Sequence, residues 1–153
     1  MRVLIVCTGN TCRSPMAEAL LRRSLTEAGR SDVMVESAGT GAWDGAPASE
    51  GAYLVGLEQG IDLSGHRARL LNRAMVDQAD LILAMSRTHL ARGRELGGGG
   101  RAHLLGEYAG YQGLQAEIDD PYGGELEDFR QTYRTLAAMM PGIVSRVTAA
   151  AQP

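Results

Sequence analysis

The chain has 153 residues, 44% of them hydrophobic, and no long biased tract, which predicts one globular domain over 1–153. Fifteen basic residues, all arginine, stand against 18 acidic ones, for a net charge of −3, so no nucleic-acid partner is expected. The start, MRVLIVC, is too short an apolar run for a signal peptide, and no run of about 18 apolar residues occurs, so no membrane association and a cytoplasmic location are expected.

Arg2 to Val6, "RVLIV", reads as a short buried strand, and residues 15–28 carry a helical stripe of Met16, Ala17, Leu20, Leu21, Leu25 and Ala28. The stretch between them, "VCTGNTCRSP", is therefore a strand-to-helix turn. Ser14 is placed to cap the helix, Pro15 suits its first position and Gly29 marks its end. Val33 to Glu36 reads as a second strand leading into a Gly-rich loop, "SAGTGAWDGAP", too irregular for a dinucleotide fingerprint. A helix over 49–59, closed by Gly60, comes next. Ala79 to Met85, "ADLILAM", is a third strand, residues 86–96 look helical, and Gly97 to Gly100 break the chain before a fourth strand, "RAHLL". The last helix spans about 125–147, with a kink or break expected near Met140 because Pro141 cannot donate to the carbonyl of Ala137. Strands alternating with helices predict an α/β fold with a parallel sheet covered on both faces. Ligands bind such sheets at the carboxyl ends of the strands, and Cys7 lies at one.

Two cysteines are too few for a disulfide framework, and a reducing compartment favours a reactive thiol. After a strand, residues 8–12 can turn their backbone N–H groups inward, and the helix beyond adds its positive end to the same space. Arg13 can close this anion cradle with two parallel donors matched to phosphate oxygens. The same positive field favours a thiolate at Cys7, and a Ser14 hydroxyl can donate to it. Cys12 makes only a C-x4-C pair with Cys7, and His66, His89 and His103 do not complete a zinc site, so neither metal nor cofactor is expected. Cys12 is either packing or a redox partner for Cys7. Asp119 and Asp120, in a turn fixed by Pro121 and Gly123-Gly124, are both placed to act as a general acid or simply to shape the turn.

"VCTGNTCRSPMAEALL", "ESAGT", "HRAR", "ADLILAM" and "DDPYGG" occur in this order over nearly the whole chain, which thereby resembles the low-molecular-weight protein tyrosine phosphatases. The resemblance implies a three-layer α/β/α fold with a four-stranded parallel sheet of order 2-1-3-4, and no metal. It implies Cys7 as nucleophile, Arg13 as phosphate ligand and Asp120 as general acid, with Thr8, Gly9, Asn10, Thr11, Cys12 and Ser14 forming the phosphate-binding loop. Ser37 and His66 would support that loop, together with Asn10 and Ser14. Thr11, Trp43 and Tyr122 would wall the substrate pocket. Two departures, Thr11 in place of an aliphatic residue and Gly123 in place of a second aromatic, are similar to the bacterial protein arginine phosphatase branch. A phosphoarginine substrate on a protein is therefore expected first, and phosphotyrosine second. Arsenate reductases share the loop but use further downstream cysteines, which this chain lacks. A non-catalytic phosphoprotein-binding module would have lost the nucleophile or the acid.

Overall fold

The first strand sets the architecture, because it is buried on both faces. In the computed structural model, which describes residues 1–150, β1 (Arg2–Cys7) sends Val3, Ile5 and Cys7 into one hydrophobic cluster and Leu4 and Val6 into another. Strands β1, β2 (Met34–Gly39), β3 (Leu81–Ala84) and β4 (Ala102–Leu104) are all parallel, in the order β2-β1-β3-β4. Helices α1 (Arg13–Glu27), α2 (Glu50–Glu58), α5 (Leu105–Tyr108) and α6 (Leu126–Ala150) cover the Ile5 face. Helices α3 (Arg73–Gln78) and α4 (Arg87–Glu95) cover the Leu4 face. The expected three-layer fold and strand order are therefore those of the molecule.

Several boundaries differ from expectation, each for a physical reason. Helix α1 begins at Arg13, with Cys12 rather than Ser14 at the cap position, and Ser14 is drawn instead to the Cys7 sulfur, 2.8 Å away. Pro15 still falls in the first turn, where an amide needs no intrahelical partner. Strand β2 runs on through Ser37, Ala38 and Gly39, because Cys7 pairs with Gly39 in register. A Cβ at Gly39 would meet the backbone of Thr8 and lie 2.9 Å from the amide nitrogen of Asn10, so only glycine lets β2 press against the turn after β1.

Of the kink or break expected near Met140, the break does not occur: helix α6 runs continuously through Pro141. Met139, Met140, Ile143 and Val147 on either side of the proline are buried. Burying such side chains is worth about 1.5–3 kcal/mol each, together more than the ~3 kcal/mol that a proline costs a helix interior. Pro141 itself is on the exposed side, where water can serve the carbonyl it leaves unpaired. Helix α3 was not foreseen; six residues are too few to show a period, although Asn72 caps it by accepting from Met75 N at 2.9 Å.

Candidate active site

The turn after β1 is a cup whose carbonyls face outward. Cys7 O accepts from Thr40 N at 2.9 Å, Thr8 O from Gly41 N at 3.0 Å and Thr11 O from Ser49 N at 2.9 Å. Asn10 O is held by His66 Nε2 at 2.6 Å; a carbonyl can only accept, so that nitrogen carries the proton. In a trans peptide the N–H points opposite to the C=O. The amides of Thr8, Gly9, Thr11 and Cys12 are thereby turned toward the inside of the cup, where the N-terminus of α1 also points.

Asn10 organises the cup from within. It is fully buried, and its φ of 57° puts it in the left-handed region that asparagine tolerates better than most residues. Its amide N–H donates to Cys7 Sγ at 3.3 Å, and its side-chain Nδ2 donates to Ser14 Oγ at 2.8 Å and to Ser37 Oγ at 2.9 Å. Its Oδ1 accepts from Arg69 N at 2.9 Å. Because Ser14 Oγ already accepts from Asn10, its own proton is free for Cys7 Sγ, 2.8 Å away. Ser37 passes its proton to Glu18 Oε1 at 2.8 Å. The sulfur thus sits between two donors, an arrangement suited to a thiolate.

Arg13 is buried, and it is fixed from α1 against the chain that precedes α6. Nη1 donates to Ile118 O at 3.0 Å and Nη2 lies 3.5 Å from Asp120 Oδ2. Nε is buried and has no partner among the described residues. An unpartnered buried N–H is costly, and an acceptor entering beside it would recover that cost. Asp120 also accepts from Tyr122 N at 3.0 Å, which holds the tight turn around Pro121.

Cys7, Thr8, Gly9, Thr11, Cys12, Arg13, Asp120, Trp43 and Tyr122 line one cavity of about 390 Å³. Trp43 and Tyr122 stand at its walls largely exposed, at 84% and 77%. Asn10, Ser14, Ser37 and His66 are not in the lining and act from behind it. Asp119 opens instead onto a neighbouring hollow with Asp128 and Gln131. Gly123 also lies outside the cavity, and its φ of 80° favours glycine whatever the substrate.

Both cysteines are free and buried. Cys12 Sγ donates to Ser49 Oγ at 3.2 Å, and burial raises its pKa above the usual thiol value, so it remains a thiol at neutral pH. Sequence reasoning missed three members of this neighbourhood. Glu18 reads as a surface pair with Arg22, yet it anchors Ser37. Ser49 reads only as the start of the helix over 49–59; it caps α2 and also holds Cys12. His89 reads as an isolated histidine, and it is buried between Thr8 Oγ1, 2.7 Å from Nε2, and Ser86 Oγ, 2.9 Å from Nδ1. The one available signal was its place three residues after Ser86, near the start of the helix over 86–96.

The cup, the strand order and the helix behind it define an α/β protein with a turn of inward-facing amides at a strand's carboxyl end. The chain belongs to the low molecular weight phosphotyrosine protein phosphatase family, whose model matches residues 2–152. It is 39% identical over 149 residues, 96% of each chain, to the "Probable low molecular weight protein-tyrosine-phosphatase EpsP" of Ralstonia solanacearum. Its fold matches the low molecular weight protein tyrosine phosphatase of T. tengcongensis with a TM-score of 0.85, at 38% identity over 95% of this chain and 99% of that one. It also matches the YwlE arginine phosphatase of Geobacillus stearothermophilus with a TM-score of 0.83, at 34% identity over 97% of this chain and 94% of that one. Among the described residues no helix is long and apolar enough to cross a membrane.

His89 generates a prediction about stability. Burial, and after it the charge of Arg13, pushes its pKa down to about 4, against the smaller opposing pull of Asp120 and Glu117. Above pH 6.5 the ring is neutral in both the folded and the unfolded chain. As pH falls from about 6.5 to about 4, only the unfolded chain takes up the proton, so stability is lost across that window. In denaturant titrations, His89→Gln will show a shallower loss of unfolding free energy between those pH values than the wild type. Parallel curves would mean that His89 titrates normally.

Proposed function

We propose that this protein is a protein-tyrosine phosphatase acting through a cysteinyl-phosphate intermediate. The observation behind this reading is a single cavity that gathers Cys7 Sγ with its two donors, Arg13 with an unpartnered Nε–H, Asp120, and the aromatic walls Trp43 and Tyr122. A phosphoryl group entering beside Arg13 meets the inward amides and the guanidinium, which supply the positive charge that its equatorial oxygens need. It also competes with Asp120 for Arg13.

In the first step the Cys7 thiolate attacks phosphorus in line. The S–P bond forms, the bond from phosphorus to the tyrosine oxygen breaks, and Asp120 gives its proton to that oxygen. In the second step the Asp120 carboxylate takes a proton from water, whose oxygen attacks phosphorus. The S–P bond then breaks and phosphate leaves a regenerated thiolate. Asn10, Ser14, Ser37 and His66 keep the loop open throughout. Cys7→Ser will lose measurable turnover while still binding inorganic phosphate. Asp120→Asn will lower kcat by roughly 10²- to 10⁴-fold, most for poor leaving groups, and Asp119→Asn will change it little. Equal losses in the two Asp variants would remove Asp120 from the acid's role.

Phosphotyrosine now stands ahead of phosphoarginine, the reverse of the order expected from Thr11 and Gly123. Gly123 has a backbone reason to be glycine and lies outside the cavity, while two exposed aromatic faces suit a phenol ring. Thr11 still favours the second reading. It lines the cavity, and its hydroxyl can accept from a guanidinium N–H, which an aliphatic side chain cannot do. The deciding experiment is the ratio of kcat/KM on matched phosphotyrosine and phosphoarginine peptides, in wild type and in Thr11→Ile. The proposed reading requires the wild type to prefer phosphotyrosine. A wild type that prefers phosphoarginine, with Thr11→Ile moving the ratio toward phosphotyrosine, would establish the second reading in its place.

Cys12 completes the proposal as a redox partner. Peroxide converts the Cys7 thiolate to a sulfenic acid, and the Cys12 thiol attacks that sulfur, expelling water and forming a disulfide that two external thiols reduce. Peroxide-inactivated wild type will regain activity with dithiothreitol, and Cys12→Ser will regain markedly less. Equal recovery in both would leave Cys12 as packing beside Ser49.

A further inference from the structure

Ser86 occupies the N-cap of α4 but does not cap it. Its hydroxyl lies 2.9 Å from His89 Nδ1 instead of on a backbone amide, whereas Ser49 and Asn72 cap α2 and α3 with their side chains. An N-cap serine ordinarily satisfies an otherwise unpartnered helix amide, so the contact with the imidazole replaces a favourable bond. The ring it holds is 4% exposed, and its second nitrogen meets Thr8 Oγ1 at 2.7 Å. Thr8 is the residue after Cys7 and stands in the cavity wall. Three polar groups therefore run in a chain from the start of α4 to the cavity.

Burial keeps the imidazole neutral, so it has one N–H and one lone pair, and the chain has two possible polarities. With the proton on Nδ1, His89 donates to Ser86, Thr8 donates to Nε2, and the cavity is offered only oxygen lone pairs. With the proton on Nε2, Ser86 donates to Nδ1, His89 donates to Thr8, and the hydroxyl proton of Thr8 is released to turn toward an acceptor. An oxyanion in the cavity favours the second polarity and is repelled by the first.

We propose that Ser86, His89 and Thr8 form a polarity relay in which His89, a positioning residue, presents the Thr8 hydroxyl proton to a phosphoryl oxygen of the substrate. The relay rests on the phosphatase reading above. It adds a side-chain donor to the backbone amides and Arg13, and it does so through a residue that never touches the substrate.

The relay is tested by ¹⁵N NMR of the histidine-labelled wild type with inorganic phosphate, the His89 signals being identified from the spectrum of His89→Gln. The phosphate-bound protein will show the Nε2–H tautomer; the Nδ1–H tautomer at saturating phosphate overturns the relay. Kinetics on an aryl phosphate supply the second readout. Thr8→Val and His89→Leu will each lose roughly 3- to 10-fold in kcat/KM, the scale of one hydrogen bond, and the double variant will lose no more than either. His89→Gln, which keeps a donor near Nε2, will recover most of the His89→Leu loss. Multiplicative losses in the double variant, or no recovery with glutamine, would show that His89 serves packing alone. A wild type that hydrolyses no phosphoester would sink the phosphatase reading, and the tautomer measurement would still decide the relay.

Discussion

The left-handed turn at Asn10 is the constraint on which the rest of the site depends. Every polar group of that residue is engaged: the N–H with Cys7, the carbonyl with His66, the side-chain nitrogen with Ser14 and Ser37, and the side-chain oxygen with Arg69. A non-glycine residue in this conformation costs about 1–2 kcal/mol, and a buried hydrogen bond returns about 1 kcal/mol. Five such bonds hold the strained conformation in place. The strain has a use, because reversing the chain at Asn10 is what turns successive carbonyls outward and leaves their amides inside.

The sheet supplies what the loop cannot supply for itself. Alternation along β1 sends Cys7 to the α1 side, so the sulfur meets the first turn of the helix that carries Arg13 and Ser14. Register with β2 brings Ser37 beneath Asn10, and Gly39 lets the two segments approach to backbone contact. From the other edge, the chain leading into α6 passes Ile118 O to Arg13 and swings Asp120 over it. Helix α1 and the chain that precedes α6 thus converge on one arginine, whose side chain is buried between them.

Much of this was legible in the sequence. The strand-turn-helix around Cys7, the parallel sheet and the pairing of Cys7 with Arg13 follow from a short apolar run, two cysteines and a helical stripe. Long-range partners were less accessible. Neither the i,i+4 spacing of Glu18 with Arg22 nor the place of Ser49 at the start of a helical run reveals that each side chain has a partner across the fold. His89 was hidden because its one local signal, the serine three residues before it, does not show that Thr8 lies against its other nitrogen. Local rules misled where tertiary contacts outweighed them: Ser14 left its cap position for a sulfur, and Pro141 was carried through by the packed residues around it. Gly123 was read as a missing aromatic when its backbone angle already accounts for it.

Floor and rim of the cavity differ in how they are built. Behind the floor, Asn10, Ser14 and Ser37 are buried in one hydrogen-bond network, so a change at any of them disturbs the others, and Arg13 is buried against Ile118 and Asp120. Trp43 and Tyr122 lie mostly in solvent, on turns whose conformation is held by backbone and neighbouring side chains rather than by their own rings. Replacing a side chain so exposed changes folding free energy by about 0.5 kcal/mol or less. Lineages descended from such a scaffold can therefore exchange the rim freely while inheriting the floor intact, and substrate range can diversify far faster than chemistry.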